Sequence, residues 1–149
     1  AKFDLKDEKI EKAKNHVLAV NTNGNAVIAQ LQNEIAVEIA QSFVKDKKFV
    51  EAEKMFREVT QRFPDSSVAY LGLGRSLQEQ GRVKESLPQL EKSLSIEITG
   101  AAFYRLGKTW QALGDKAKAA SYLEKALAFN PALGTKTRAD AEEQLKLLK

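Results

Sequence analysis

The 149-residue chain has no cysteine, one histidine and three prolines. Without thiols there is no disulfide framework, no thiolate metal site and no cysteine nucleophile, and the lone imidazole of His16 cannot build a zinc cluster. Long apolar runs are missing as well, so we expect neither insertion into a membrane nor a signal peptide. Residue 1 is Ala rather than Met, and the expectation is a processed form or a piece of something larger, soluble and either cytoplasmic or periplasmic. What is present is ordinary for one soluble domain: 30% charged, 43% hydrophobic and 7% aromatic residues. The net charge is +4, with most of the excess in residues 100–132. Lysines alternate with acids at helical spacing, as on a solvated helix face, and no basic cluster with aromatic platforms accompanies them, which argues against nucleic acid.

The main signal is an internal repeat. Aligning Ala36-Val-Glu-Ile-Ala40 with Tyr70-Leu-Gly-Leu-Gly74 and Phe103-Tyr-Arg-Leu-Gly107 gives three copies spaced 34 and then 33 residues apart. The register continues through Phe43, Leu77 and Trp110, then Lys47, Gly81 and Gly114, then Ala52, Ser86 and Ala119. Phe56, Leu90 and Leu123 follow, then Val59, Ser93 and Ala126, and the copies close on Pro64, Ile98 and Pro131.

Each column has a physical role in a helix hairpin. Apolar residues recur at three- and four-residue steps, as in Tyr70, Leu73 and Leu77, which marks one face of a helix. Gly81 and Gly114 fall where that helix should end, because glycine enters the left-handed region without steric cost. Lys47 holds that place in the first copy, so its turn either differs or costs about 1–2 kcal/mol. Asp46 and Asp115 are candidate caps for the second helices. Ala40, Gly74 and Gly107, opposed by Ala52, Ser86 and Ala119, should let paired helices approach closely. Pro88 is expected close to the first turn of a helix starting near Val83, where a missing N–H costs little.

These columns resemble the tetratricopeptide repeat (TPR), an aromatic, Leu-Gly, Tyr, Ala, Phe, Ala and a final Pro over 34 residues. Residues 100–132 match best, with Phe103, Leu106, Gly107, Trp110, Ala119, Leu123, Ala126 and Pro131. The copy at 33–66 has Ala40 for the glycine, and the copy at 67–99 has Ser86 and Ser93 for alanines and no closing proline, which puts its inter-repeat turn in question. The resemblance implies an all-α fold, an α-α superhelix (TPR solenoid) of about eight helices. Residues 1–25 read as an amphipathic helix, striped by Phe3, Ile10, Ala13, Val17 and Val20, and a turn over Asn21–Asn25. Residues 26–132 hold the three hairpins, and 133–149 read as a solvating end helix.

Signals that imitate chemistry have plainer readings. Gly107-Lys108-Thr109 looks like the end of a phosphate loop, but Ala102 stands where the motif needs glycine and no strand precedes it. Gly72-Leu-Gly74 is an isolated pair of glycines in a helix. His16 has no nucleophile or oxyanion constellation around it, and Trp110 shares its column with core residues. No catalytic residue, metal ligand or cofactor is expected.

The first helix of each hairpin should line the concave side of the solenoid, the usual binding surface. The candidate groove residues are Val37, Leu71 and Tyr104 in one row, Gln41, Arg75 and Lys108 one turn on, and Gln78 and Gln111 beyond. An apolar row beside a partly basic one suits a protein or peptide with apolar anchors and a carboxylate. TPR domains that clamp chaperone C-terminal carboxylates carry Lys and Asn, then Asn, then Lys and Arg on these helices. This chain has Val37 and Gln41, Gly72, and Tyr104 and Lys108, which argues against that activity. The expected function is a non-catalytic adaptor, and the alternative is a homo-oligomer using the N-terminal helix or the solenoid ends. RNA reading by helical repeats would need base-reading side chains at matched positions, which the columns lack.

Overall fold

A computed structural model describes residues 25–129 and 133–149, together with Glu8, Lys9, Lys12 and His16. Seven helices follow one another and no strand occurs among the described residues: α1 (Ala26–Lys45), α2 (Phe49–Arg62), α3 (Ser67–Glu79), α4 (Val83–Ile96), α5 (Gly100–Ala112), α6 (Lys116–Ala128) and α7 (Thr135–Leu147). The expected N-terminal helix lies outside the described residues except for those four, which are helical and exposed. Pro131 lies outside them too.

The helices pair as antiparallel hairpins, α1 with α2, α3 with α4 and α5 with α6, and successive hairpins stack, with α7 closing the array on α6. The hairpin turns share one construction. Lys47, Gly81 and Gly114 all have positive φ, at 59°, 79° and 87°. The N–H of each next residue reaches back five positions: Lys48 to the Phe43 carbonyl, Arg82 to Leu77 and Asp115 to Trp110, at 2.8–3.0 Å. This satisfies carbonyls that the helix end would leave unpaired. The first copy therefore makes the same turn as the others, with lysine in the strained conformation. Asp46 ends α1 rather than opening α2, whose N-cap is Lys48. Asp115 does cap α6, accepting from Lys118 N at 3.0 Å.

Close approach within hairpins is set by glycines against leucines. A Cβ on Gly74 would stand 2.5 Å from Leu90 Cδ2, and one on Gly107 2.8 Å from Leu123. The partners are thus the large residues of the next columns rather than Ser86 and Ala119. The first core block gathers Ala36, Ala40, Phe43, Met55, Phe56, Val59, Leu73 and Leu77. A second joins Tyr104, Leu123, Ala126 and Ala141.

The turn after the second hairpin forms without proline. Ser93 Oγ donates to the Ser67 carbonyl at 2.8 Å and Ser67 Oγ donates to Glu97 at 2.9 Å, tying both ends of the hairpin together. Thr99 then caps α5 by accepting from Ala102 N at 3.1 Å. Pro88 is the sixth residue of α4, past the first turn, and the helix runs through it at the loss of one N–H donor.

Candidate functional site

The first helix of each hairpin, together with α7, faces a common groove. A cavity of about 380 Å³ in it is lined by Gln41, Val44 and Lys45 of α1, Val68, Leu71, Gly72 and Arg75 of α3, Ala101, Tyr104 and Arg105 of α5, and Thr137 of α7, with Phe56 of α2 at its base. That is the size of a pocket for a few side chains. Gly72 shapes the base, since a Cβ there would lie 2.2 Å from Phe56 Cζ.

Of the eight candidate positions, Gln41, Leu71, Arg75 and Tyr104 line this cavity. Val37 is buried in the first core block. Gln78 is a joint between hairpins: its Nε2 donates to the Arg105 carbonyl at 3.2 Å and to Thr109 Oγ1 at 3.1 Å. The remaining two are held by α7. Lys108 pairs with Asp140 at 3.3 Å, and Gln111 donates to Gln144 at 2.8 Å.

Tyr104 lines the cavity but is only 8% exposed. Its hydroxyl donates to Asp140, and Arg105 lies 5.3 Å from its ring centre. Burial, then the bond to Asp140 and that carboxylate's charge, push the phenol up to about 12. Asp140 is pushed up by burial, but bonds from Tyr104 and Gln144 and the Lys108 charge outweigh this and hold it below its ordinary value.

Arg75 differs from its neighbours. Arg105 pairs with Glu79 at 3.0 Å, whereas Arg75 has no ion-pair or hydrogen-bond partner among the described residues. Burial in the groove wall, then repulsion from Arg105, pull its guanidinium below the ordinary value. Arg75 is exposed at the rim of the cavity, next to Val44, Phe56, Val68 and Leu71, and the carboxylate of Glu79 only partly offsets these effects.

Sequence reasoning missed the clamp on the other side. Glu53 of α2 accepts from Gln80 at 3.0 Å, Arg82 at 2.6 Å and Arg57 at 2.9 Å, fastening the first hairpin to the turn of the second. Burial raises its carboxyl, but these bonds and charges outweigh it and lower it. No column of the repeat marks Glu53, because its partners are particular to one junction.

A stack of helix hairpins around a concave groove defines a helical-repeat solenoid. Family models for the tetratricopeptide repeat match residues 43–96 and 100–133, and the chain belongs to that family. No curated protein matches it. Among solved structures it resembles the Yersinia enterocolitica type III secretion chaperone SycD in complex with a peptide of the translocator YopD, at 19% identity and a TM-score of 0.69 over 77% of this chain and 90% of that one. PcrH of Pseudomonas aeruginosa, in complex with the chaperone-binding region of PopD, gives 20% identity and 0.69 over 77% and 89%. The TPR domain of Arabidopsis OM64 gives 21% and 0.68 over 77% and 94%. At such identities the likeness is one of fold. No described helix is long and apolar enough to cross a membrane.

Proposed function

We propose that the chain is a non-catalytic interaction scaffold that binds a peptide segment in the concave groove, one presenting an apolar side chain next to a carboxylate. The observation that carries this is Arg75, exposed at an apolar cavity and without an ion-pair or hydrogen-bond partner among the described residues. An incoming carboxylate would offset the repulsion from Arg105, while the apolar neighbour fills the space over Phe56 and Leu71. The seat lies on α1, α3 and the start of α5; Lys108 and Gln111 are spent on α7. SycD and PcrH, each seen with a segment of a partner protein, support peptide binding by this fold. A second reading, self-assembly through the N-terminal region or solenoid ends, is favoured by the apolar residues exposed at the start of α1.

The test is selection from a random peptide library on the full chain. Enriched sequences should pair a large apolar residue with Asp or Glu, and Arg75→Glu should weaken them at least about tenfold, about 1.4 kcal/mol. Peptides without an acid, or indifferent to Arg75→Glu, would overturn the proposal. Concentration-dependent light scattering by the full chain would favour the second reading.

A further inference from the structure

The cavity over Phe56 carries charge of one sign. Lys45 of α1, Arg75 of α3 and Arg105 of α5 line it, and among the described residues no carboxylate does. Arg105 is already engaged, because it pairs with Glu79 at 3.0 Å and donates to Gln78 Oε1 at 3.2 Å. Lys45 and Arg75 are exposed, and neither side chain has an ion-pair or hydrogen-bond partner among the described residues. Gln41 and Thr137 add an amide and a hydroxyl to the same lining, likewise without side-chain partners among the described residues.

We infer that the acid seated here is a phosphoryl group, so that the groove's partner is a peptide phosphorylated on serine or threonine beside an apolar residue. That the groove seats a peptide is presupposed, as proposed above; the chemistry of the acid is new. Two unpaired cations facing no carboxylate leave the lining with two positive charges to match. A single carboxylate matches one of them. A phosphoryl group brings a charge of about −1.5 to −2 at pH 7 and three acceptor oxygens. Arg75 presents the planar fork that fits two such oxygens, and Lys45, Gln41 and Thr137 supply donors for what remains. Gln41 stands level with Arg75 in the repeat, 34 residues before it, and Lys45 lies one turn further along α1, about 6 Å. Since α1 and α3 are in contact, the two long, exposed side chains can meet on one group.

Two acidic residues would supply the same charge, but not in the same place. Alternate side chains of an extended segment, which share a face, stand about 7 Å apart. A cavity of about 380 Å³ thus takes the apolar anchor and one acid, and a second acid falls outside it. The double charge has to arrive on one group.

The probe is a set of three pools of short peptides, degenerate except for a central phosphoserine, aspartate or serine, passed over the immobilised full chain and counted by mass spectrometry. The phosphoserine pool should be retained at least about tenfold over the aspartate pool and be enriched in large apolar residues beside the phosphate. Lys45→Gln should cut that retention severalfold while leaving the aspartate pool within about twofold, and Arg75→Gln should weaken both pools. Lys116→Gln makes the same charge change on α6, outside the groove lining, and should alter neither. It separates a defined seat from bulk attraction to a chain of net charge +4. Melting temperatures equal to the parent's check that the variants fold. Equal retention of the phosphoserine and aspartate pools would leave the peptide groove standing and overturn the phosphoryl assignment. So would phosphoserine retention that Lys45→Gln and Lys116→Gln reduce alike. Retention of no pool would overturn the peptide groove and the phosphoryl assignment together.

Discussion

Lys47 shows how much one backbone angle costs. At φ 59° it makes the turn that Gly81 and Gly114 make in the other hairpins. Its Cβ crowds the following carbonyl, so Lys47→Gly should stabilise the fold by about 1 kcal/mol, and Gly114→Ala should destabilise it by a similar amount. Urea unfolding of the variants, with unchanged slope, checks both. Gly107 is constrained by space instead. Gly107→Ala drives a methyl into Leu123 and should cost about 1–3 kcal/mol. The glycine columns were legible from the repeat because both reasons recur with its period. Trp110 was only half legible. Its ring is partly exposed and lies 4.1 Å from Lys118 Nζ, and its indole N–H is buried without a hydrogen-bond partner among the described residues.

At the scale of elements, the junctions differ from one another, and each is polar. Glu53 binds the first hairpin to the second through Gln80 and Arg82, and Asp140 binds α7 to α5 through Tyr104 and Lys108. Both carboxyls have lowered pKa values in the fold. The stability they contribute is therefore present above the ordinary carboxylate range and is lost as pH falls through about 4 and below. Tyr104 works in the opposite direction: with its phenol raised from 10 to about 12, its contribution holds below 10 and is lost as pH climbs toward 12. Thermal melts should fall on both flanks. Tyr104→Phe should remove the excess loss on the alkaline side and cost about 1–2 kcal/mol near neutrality, because Asp140 loses a donor. A Tyr104→Phe melt with the same alkaline slope as the parent would show that this phenol does not titrate as described. These joints could not be read from the sequence. A repeat pattern records what the hairpins share, whereas Glu53, Gln78 and Asp140 serve one junction each.

For the whole molecule, the solenoid and the placement of its first helices toward a groove follow from columns at 34- and 33-residue spacing. The groove itself was only partly legible. Counting columns gives every hairpin an equal share in it, yet α7 covers the third, taking up Lys108 and Gln111 and burying Tyr104. Sequence periodicity places a side chain on a face but is silent about which later helix returns over that face. What remains open is the region around Arg75, flanked by Gln41, Val44, Lys45 and Leu71. The central claim is that this region seats an acidic, apolar peptide. It is tested most directly by amide and methyl chemical shifts of the full chain on adding a library-selected peptide. The expected result is a set of shifts confined to residues 41–45, 68–75 and 101–105, abolished by Arg75→Glu. Shifts centred on α2, α4 and α6, the far side of the hairpins, would contradict it.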